Sequence, residues 1–430
     1  MASYHTILDE LTKSILPKSS IEQIIEELVY ECRHCLENSD ISMLPNGVIQ
    51  RTVYYDFYQS CRSSVPILAI DFGGTKLKFA VITMPECILQ YQDEFNLESG
   101  QVDLKFFDAI IRRIYLSLFE FLRNGKCAEP ITVSVTFSFP LTAENEIVTM
   151  GKGFHMSEEV KGLNVLSIID ASFQRIFEEF DEPLFTVEMG EIVNDSVAVY
   201  LTHRIKNKES SIALVVGTGL NACFELPSSR LPSKKRPKND NEFTCLNTMI
   251  NAEAGFLGKK TVNITQFDIV DNPDCDMPLE YVTSGKWLPQ ALQRILKHYN
   301  ILGPELDFID GRWMIDIIEG NQVFERLQIE VSTILLIREI GKILLKRAAF
   351  YLVATLISIS RLIQQPLSDT LEVGYVGSFL AHSSYYKGQI RKYSNDLIKL
   401  RFLADSNLIG SAIKTYLKVF SIKTEACTDK

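Results

Sequence analysis

Five residues, Asp71-Phe72-Gly73-Gly74-Thr75, lie between an apolar run that starts at Ile67 and a second run that alternates as far as Ile82. Strand, tight glycine turn and returning strand predict a β-hairpin whose tip presents backbone N–H groups and a hydroxyl. Gly73 and Gly74 have no Cβ, so a polyphosphate can approach the backbone, where exposed amides suit an anion. Asp71, at the strand end, is placed to hold a hydrated Mg2+ carrying that phosphate, and Lys76 and Lys78 add positive charge beside it. A strand follows the glycines, which separates this device from the strand, GxxxxGK[ST] and helix of the P-loop. Taken alone, the hairpin reads equally as an ordinary turn. The same device returns in SIALVVGTGLNACFEL (211–226), where Gly217-Thr218-Gly219 separates two apolar runs. Two such hairpins suggest two related lobes, each offering a phosphate-binding turn to a shared cleft.

Other candidate groups carry less. Cys32 and Cys35 form a C-x-x-C in a helical pattern, but no second pair stands at zinc spacing, and free helix thiols are the expectation. The nine cysteines are scattered and odd in number. The basic run Lys234-Lys235-Arg236-Pro237-Lys238 reads as a nuclear-localisation signal, a nucleotide contact or, most simply, a solvated loop.

The elements that must position these residues follow from periodicity. Residues 5–37 predict two helices divided at Pro17, the second capped by Ser19-Ser20. ISMLPNGV (41–48) reads as an extended connector. A third antiparallel strand is expected over 87–95. Asp103 to Asn124 predicts an amphipathic helix with Phe106, Ile110, Ile114, Leu118 and Phe121 on one side. A buried strand over 131–139, a helix over 165–180 and a strand into GEIVND (190–195) come next. Beyond the second hairpin a strand to Asn251, a helix over 282–299, a long apolar helix over 328–362, a strand over 371–378, a strand over 398–403 and a helix from Gly410 complete an α/β pattern with a mixed sheet.

At 430 residues the chain exceeds one core, and two or three folding units are expected. A net charge of −10 argues against a nucleic-acid surface, although nucleotides need only local positive charge. No uninterrupted apolar run reaches the roughly 18 residues that span a bilayer, and no signal-peptide core is visible. The sequence reads as cytoplasmic.

These residues, with the ordered motifs IDFGGT (70–75), TFSFP (136–140), KGF (152–154), ND (194–195), GTGLNACF (217–224), NAE (251–253), LEYVTSGKW (279–287) and GYVGS (374–378), resemble the eukaryotic hexokinase and glucokinase family. The likeness runs from residue 41 to the C-terminal helix and is closest to a divergent hexokinase-like branch of yeasts. It implies a two-lobed actin-like ATPase (ribonuclease H-like) fold, with mixed β-sheets and a cleft between lobes. The implied division is 1–65 as N-terminal helices packed with the large lobe, 66–194 as the small lobe, 195–408 as the large lobe and 409–430 as a helix returning to the small lobe. The implied activity is transfer of the γ-phosphoryl of MgATP to the 6-hydroxyl of glucose or a related hexose, with the cleft closing to exclude water.

By the same resemblance Asp195 is the general base and Lys152 the cation that meets both the sugar and the transferring phosphoryl group. Ser138, Phe139, Asn194, Asn221, Glu253 and Glu280 surround the sugar. Asp71, Gly73, Gly74, Thr75, Lys76, Lys78, Thr218, Gly219, Lys286, Gly377 and Ser378 hold ATP, with Asp71 reaching Mg2+ through water. The partners implied are a small-molecule hexose and ATP, with no nucleic acid, no membrane, and homodimer formation left open. Read as a lone N-D-S, Asp195 would instead cap the helix that begins at Ser196.

Four positions depart from the family pattern: Gly151 for a threonine before the lysine, Val376 for an aspartate near the adenosine, Lys78 for an arginine, and Lys76 for an asparagine. They bear on sugar choice and nucleotide affinity, and leave room for two other readings: an amino-sugar kinase, as for N-acetylglucosamine, and a non-catalytic glucose sensor.

Overall fold

Apolar alternation and glycine or proline breaks divide the chain into thirteen strands and twelve α-helices among the described residues. The computed structural model describes residues 4–50, 57, 64–98, 100–123, 130–139, 141–142, 144–148, 150, 154–180, 183–207, 212–236, 246–268, 276–301, 309–321, 329–364 and 370–428. Gly151, Lys152 and Lys238 lie outside them. In order come α1 (Tyr4–Ile15), α2 (Ile21–Asn38), β1 (Leu44–Gln50), β2 (Val65–Phe72), β3 (Lys76–Met84), β4 (Ile88–Asn96) and β5 (Gln101–Val102). Next are α3 (Leu104–Leu122), β6 (Ile131–Phe137), β7 (His155–Met156), α4 (Val165–Phe177), β8 (Val187–Val193) and α5 (Asp195–Lys206). Then follow β9 (Ile212–Val216), β10 (Leu220–Pro227), β11 (Leu246–Asn251), α6 (Pro278–Thr283), α7 (Trp287–His298), α8 (Gly311–Glu319) and α9 (Val331–Ile363). Strand β12 (Leu371–Val376), α10 (Ser378–His382), α11 (Ser384–Tyr393), β13 (Ile398–Phe402) and α12 (Ser406–Thr428) end the described chain.

Two compact units divide these elements. One comprises Met1–Arg51 with Asn207–Ala404, the other Thr52–Lys206 with Asp405–Lys430. Where the sequence reading ended the small lobe at residue 194 and resumed it at 409, the second unit keeps α5 and takes the chain back from Asp405. The reason is packing of α5 on α12. A Cβ on Gly410 would stand 1.9 Å from the Ala198 carbonyl oxygen, and Thr202 Oγ1 donates to Ser406 O at 2.8 Å.

The first unit holds a six-stranded sheet in the order β1-β11-β10-β9-β12-β13. Residues expected as a connector form β1, an edge strand antiparallel to β11, with a register shift between Pro45 and Val48 that absorbs the Pro-Asn-Gly. Helix α9 is long and apolar enough to cross a membrane by length and composition, yet 94% of its most apolar window is buried in the fold. It packs on α2, where Ser358 Oγ donates to Ile25 O at 3.0 Å. Ser20 and Gln23 cap α2 reciprocally. At its other end Lys235 is buried, its Nζ donating to the carbonyls of Cys35, Ser42 and Met43 at 3.0, 3.1 and 2.9 Å. The basic run is therefore not a solvated loop throughout. Three carbonyls recover the hydration that the ammonium loses, and burial still pushes its pKa down to about 8.

The second unit holds a five-stranded sheet, β4-β3-β2-β6-β8, with β2, β6 and β8 parallel and β3 and β4 antiparallel. Asp103 caps α3 by accepting from Phe106 N at 2.8 Å. Its buried stripe is Phe107, Ile110, Ile111, Ile114, Tyr115 and Leu118, so the expected face is turned slightly and Phe121 is exposed. Helix α4 stops at Phe177, three residues early. The helix expected over 282–299 is two, broken at Ser284-Gly285-Lys286, and the last helix starts at Ser406, four residues early.

The α5–α12 contact is backbone on backbone, so it cannot yield by rotating a side chain. Gly410→Ala is expected to cost about 1–3 kcal/mol, whereas Gly388→Ala in α11, where a Cβ meets nothing within 4 Å, is expected to gain about 0.5–1 kcal/mol. Urea unfolding of both variants against the parent checks the contrast, and equal midpoints would refute it.

Candidate active site

In the second unit the β2–β3 hairpin pairs Asp71 with Lys78 and Phe72 with Leu77. Gly73 N–H donates to Lys76 O at 3.0 Å, and a Cβ on Gly73 would stand 2.7 Å from that oxygen. Only glycine fits so tight a turn. Gly74 is half-buried, while Thr75 and Lys76 are exposed at the tip. Both lysines already have an acid: Lys76 hydrogen-bonds Glu94 across the sheet, and Lys78 Nζ lies 3.6 Å from it. The hydrogen bond from Lys76, ahead of the two lysine charges, holds the Glu94 carboxyl below its ordinary pKa. The pair is exposed, so a phosphate can compete for these cations at little cost.

Asp71 is 7% exposed at the end of β2. Its Oδ2 accepts from Asn407 Nδ2 at 3.1 Å, and its Oδ1 is buried without a partner among the described residues. Burial pushes its pKa up to about 7. The Asn407 hydrogen bond opposes this, the Asp195 charge adds to it, Lys78 opposes and Asp405 adds. The last helix begins at Ser406 and brings in Asn407, which a start expected at Gly410 leaves out. The run Asp405-Ser406-Asn407 before an apolar pattern is a helix-start signal that would have found it.

Asp195 is the first residue of α5, but the capping position belongs to Asn194. The Asn194 carbonyl accepts from Ala198 N at 3.0 Å, and its Oδ1 accepts from Ser196 N and Oγ at 2.9 and 2.8 Å. Asp195 Oδ1 accepts from Ser196 N at 2.7 Å. Its place in the first turn sets this carboxylate at the positive end of the helix dipole. Ser138 N–H donates to Phe72 O at 3.1 Å, which sets the half-buried Ser138 beside the hairpin. The Phe139 ring is buried, with its centroid 5.3 Å from that of Phe137 and 6.0 Å from that of Phe154.

The first unit assembles a separate polar set. Asn221 Nδ2 donates to Asn251 Oδ1 at 2.9 Å, and Asn251 Nδ2 donates to Glu253 Oε1 at 2.8 Å. Glu253 stands in the left-handed region, with φ 45°. Glu280 Oε2 accepts from Leu220 N and its Oε1 from Trp287 Nε1, each at 3.1 Å. A Cβ on Gly219 would come within 2.6 Å of Glu280 Oε2, so the glycine turn and this carboxylate need each other. Glu31 on α2 steadies the loop after Glu253 by accepting from Gly258 N at 2.9 Å. Oriented amides and carboxylates of this kind match the paired hydroxyls of a sugar. Asn251 and Trp287 were not among the residues expected there.

The Gly217-Thr218-Gly219 turn closes with Gly217 N–H donating to Gly219 O at 3.1 Å, and Gly285 N–H donates to Gly217 O at 2.8 Å. Gly377, with φ 118°, lies against it, its missing Cβ 2.0 Å from Val216 O. Thr218 is half-buried, Ser378 is exposed, and Lys286 Nζ stands 4.4 Å from the Trp287 ring centroid. Among the described residues no three His, Cys, Asp or Glu side chains gather as a metal cage. A buried carboxylate with one oxygen unpartnered fits Mg2+, which keeps most of its waters and takes one or two carboxylates.

Two family models, both described as Hexokinase, match residues 7–205 and 211–417. N-acetylglucosamine kinase 1 of Candida albicans is 23% identical, over 95% of this chain and 92% of its own length. Hexokinase-1 of Saccharomyces cerevisiae is 22% identical over 70% of this chain and 62% of its length, and Hexokinase-3 of Mus musculus is 26% identical over 55% and 25%. The hexokinase from Schistosoma mansoni complexed with glucose superposes with a TM-score of 0.74 at 20% identity, covering 96% of this chain and 99% of that one. A second hexokinase crystal structure gives 0.64 at 17%, covering 96% of each. The fold is the actin-like ATPase fold of these enzymes.

A carboxyl whose pKa is raised on folding holds a proton that the unfolded chain has released. Its contribution to stability is present below the ordinary carboxylate range and falls as pH rises toward 7. In metal-free buffer Asp71→Asn is therefore expected to gain stability over the parent between pH 5 and pH 8, by on the order of 2 kcal/mol. Thermal melts at the two pH values measure this, and a pH-independent difference would count against it.

Proposed function

Because the chain belongs to the hexokinase family and is an ATP-dependent hexose kinase, we propose that Asp195 is the base by which it phosphorylates the 6-hydroxyl of glucose or a related hexose. The family matches over 7–205 and 211–417 carry this reading. Asp195 takes the hydroxyl proton as O6 bonds to the γ-phosphorus, and the bond from that phosphorus to the bridging oxygen breaks to release ADP. Asn221, Glu253 and Glu280 orient the sugar through hydroxyl pairs, with Asn194 and Ser138 as further contacts. Lys152 meets the charge that builds on the transferring phosphoryl group. Asp71 accepts from the waters of Mg2+, and the hairpin amides at Gly73, Gly74 and Thr75 face the phosphates with Lys76 and Lys78. Thr218, Gly219, Lys286, Gly377 and Ser378 contact the nucleotide. Bound Mg2+ supplies charge neutralisation at the phosphates.

A second reading, an N-acetylglucosamine kinase, is favoured by one observation: the Candida albicans relative aligns over nearly the full length of both chains, the Saccharomyces cerevisiae hexokinase over less. ADP release from MgATP with glucose, fructose, mannose, glucosamine and N-acetylglucosamine separates the two. Asp195→Ala is expected to bind ATP normally and lose transfer by about 10²–10⁴-fold. Near-normal turnover in that variant would remove Asp195 from the base role. No turnover with any sugar, while glucose still protects the parent against heat, would make the chain a sensor.

A further inference from the structure

We propose that Asn407, in the first turn of α12, is a positioning residue that aims the Asp71 carboxylate at hydrated Mg2+; this deepens the kinase reading and rests on it. Asn407 Nδ2 occupies one carboxylate oxygen, at 3.1 Å, which leaves Oδ1 as the oxygen open to a further donor. The amide cannot be turned over, because its own oxygen would then face the carboxylate. Its backbone is held as well: Thr136 Oγ1 donates to Asn407 O at 2.7 Å, and Thr136 is the register partner of Asp71 on the neighbouring strand. The same helix is pinned at Ser406 O by Thr202 of α5, and at Ser411 Oγ, 3.2 Å from Ser134 Oγ. Asn407 is thus fixed from both the strand that flanks Asp71 and the helix that begins with Asp195.

A pair that merely satisfied a buried acid would leave nothing open. Here both Asp71 Oδ1 and Asn407 Oδ1 are buried acceptors without a partner among the described residues. Two orphaned acceptors on adjoining side chains call for donors. Water bound to a divalent cation is such a donor, strengthened by the metal charge.

The test compares full-length parent, Asn407→Ala and Asn407→Ser for Mn2+ binding in the presence of ADP, followed by the free Mn2+ signal in electron paramagnetic resonance. Glucose binding is read separately from the thermal shift it produces. The alanine variant is expected to hold Mn2+ about tenfold more weakly, with the glucose shift unchanged and part of the affinity restored by serine, which keeps a short donor. Equal Mn2+ binding by parent and alanine variant would overturn the role of Asn407 alone. Parallel loss of Mn2+ binding, glucose binding and stability in both variants would make Asn407 a structural residue and overturn it too. A parent that holds no Mn2+ with ADP present would remove the kinase reading, and the role of Asn407 with it.

Discussion

A carboxylate buried at the end of a strand is costly unless something takes up its charge, and the second unit is arranged around that cost at Asp71. The basic side chains of the hairpin meet it only in part: Lys76 and Lys78 are engaged with Glu94 on the next strand, and the Lys78 charge lowers the Asp71 pKa by less than burial raises it. A single amide partner, Asn407, is too little to keep the acid in its ordinary range, and its pKa rises to about 7. The buried acid costs the protein stability, and the Mg2+ proposed for this place would offset that cost on binding.

The first unit solves the opposite problem. Two of its carboxylate and amide groups are tied within the fold: Glu280 has a partner on each oxygen, and Asn251 links Asn221 to Glu253. An amide fixed by a neighbour presents one face only, so the choice of donor or acceptor is made by the fold. The left-handed backbone at Glu253 adds strain that a loose loop would relax, and the bond from Gly258 N–H to Glu31 on α2 helps to hold it. An N-terminal helix that never appeared among the candidate site residues thus supports one of them.

Both glycine hairpins were legible in the sequence because their cause is local: an apolar run, a turn only glycine can make, and a returning run. The order of motifs carried the family, and with it most of the acids. What failed to show was set by distant chain. Lys235 sits in a basic run that reads as solvated, and nothing nearby reveals the three carbonyls that bury it. Pro45-Asn46-Gly47 reads as part of an extended connector, since a bulge on an edge strand is decided by the partner strand. A start expected at Gly410 leaves Asn407 outside the last helix. That glycine is instead the point where two helices touch.

The second unit is discontinuous in the chain, and this gives its assembly a schedule on the ribosome. Strands β2, β3, β4, β6 and β8 and helix α5 are all made before Asn207, yet α12 follows Ala404. At about 5–20 residues per second, the intervening segment keeps the nascent sheet waiting for some tens of seconds. Through that interval Asp71 has no Asn407, and Ala198 has no glycine against it. The apolar and charged groups that α12 covers stay uncovered until that helix is made.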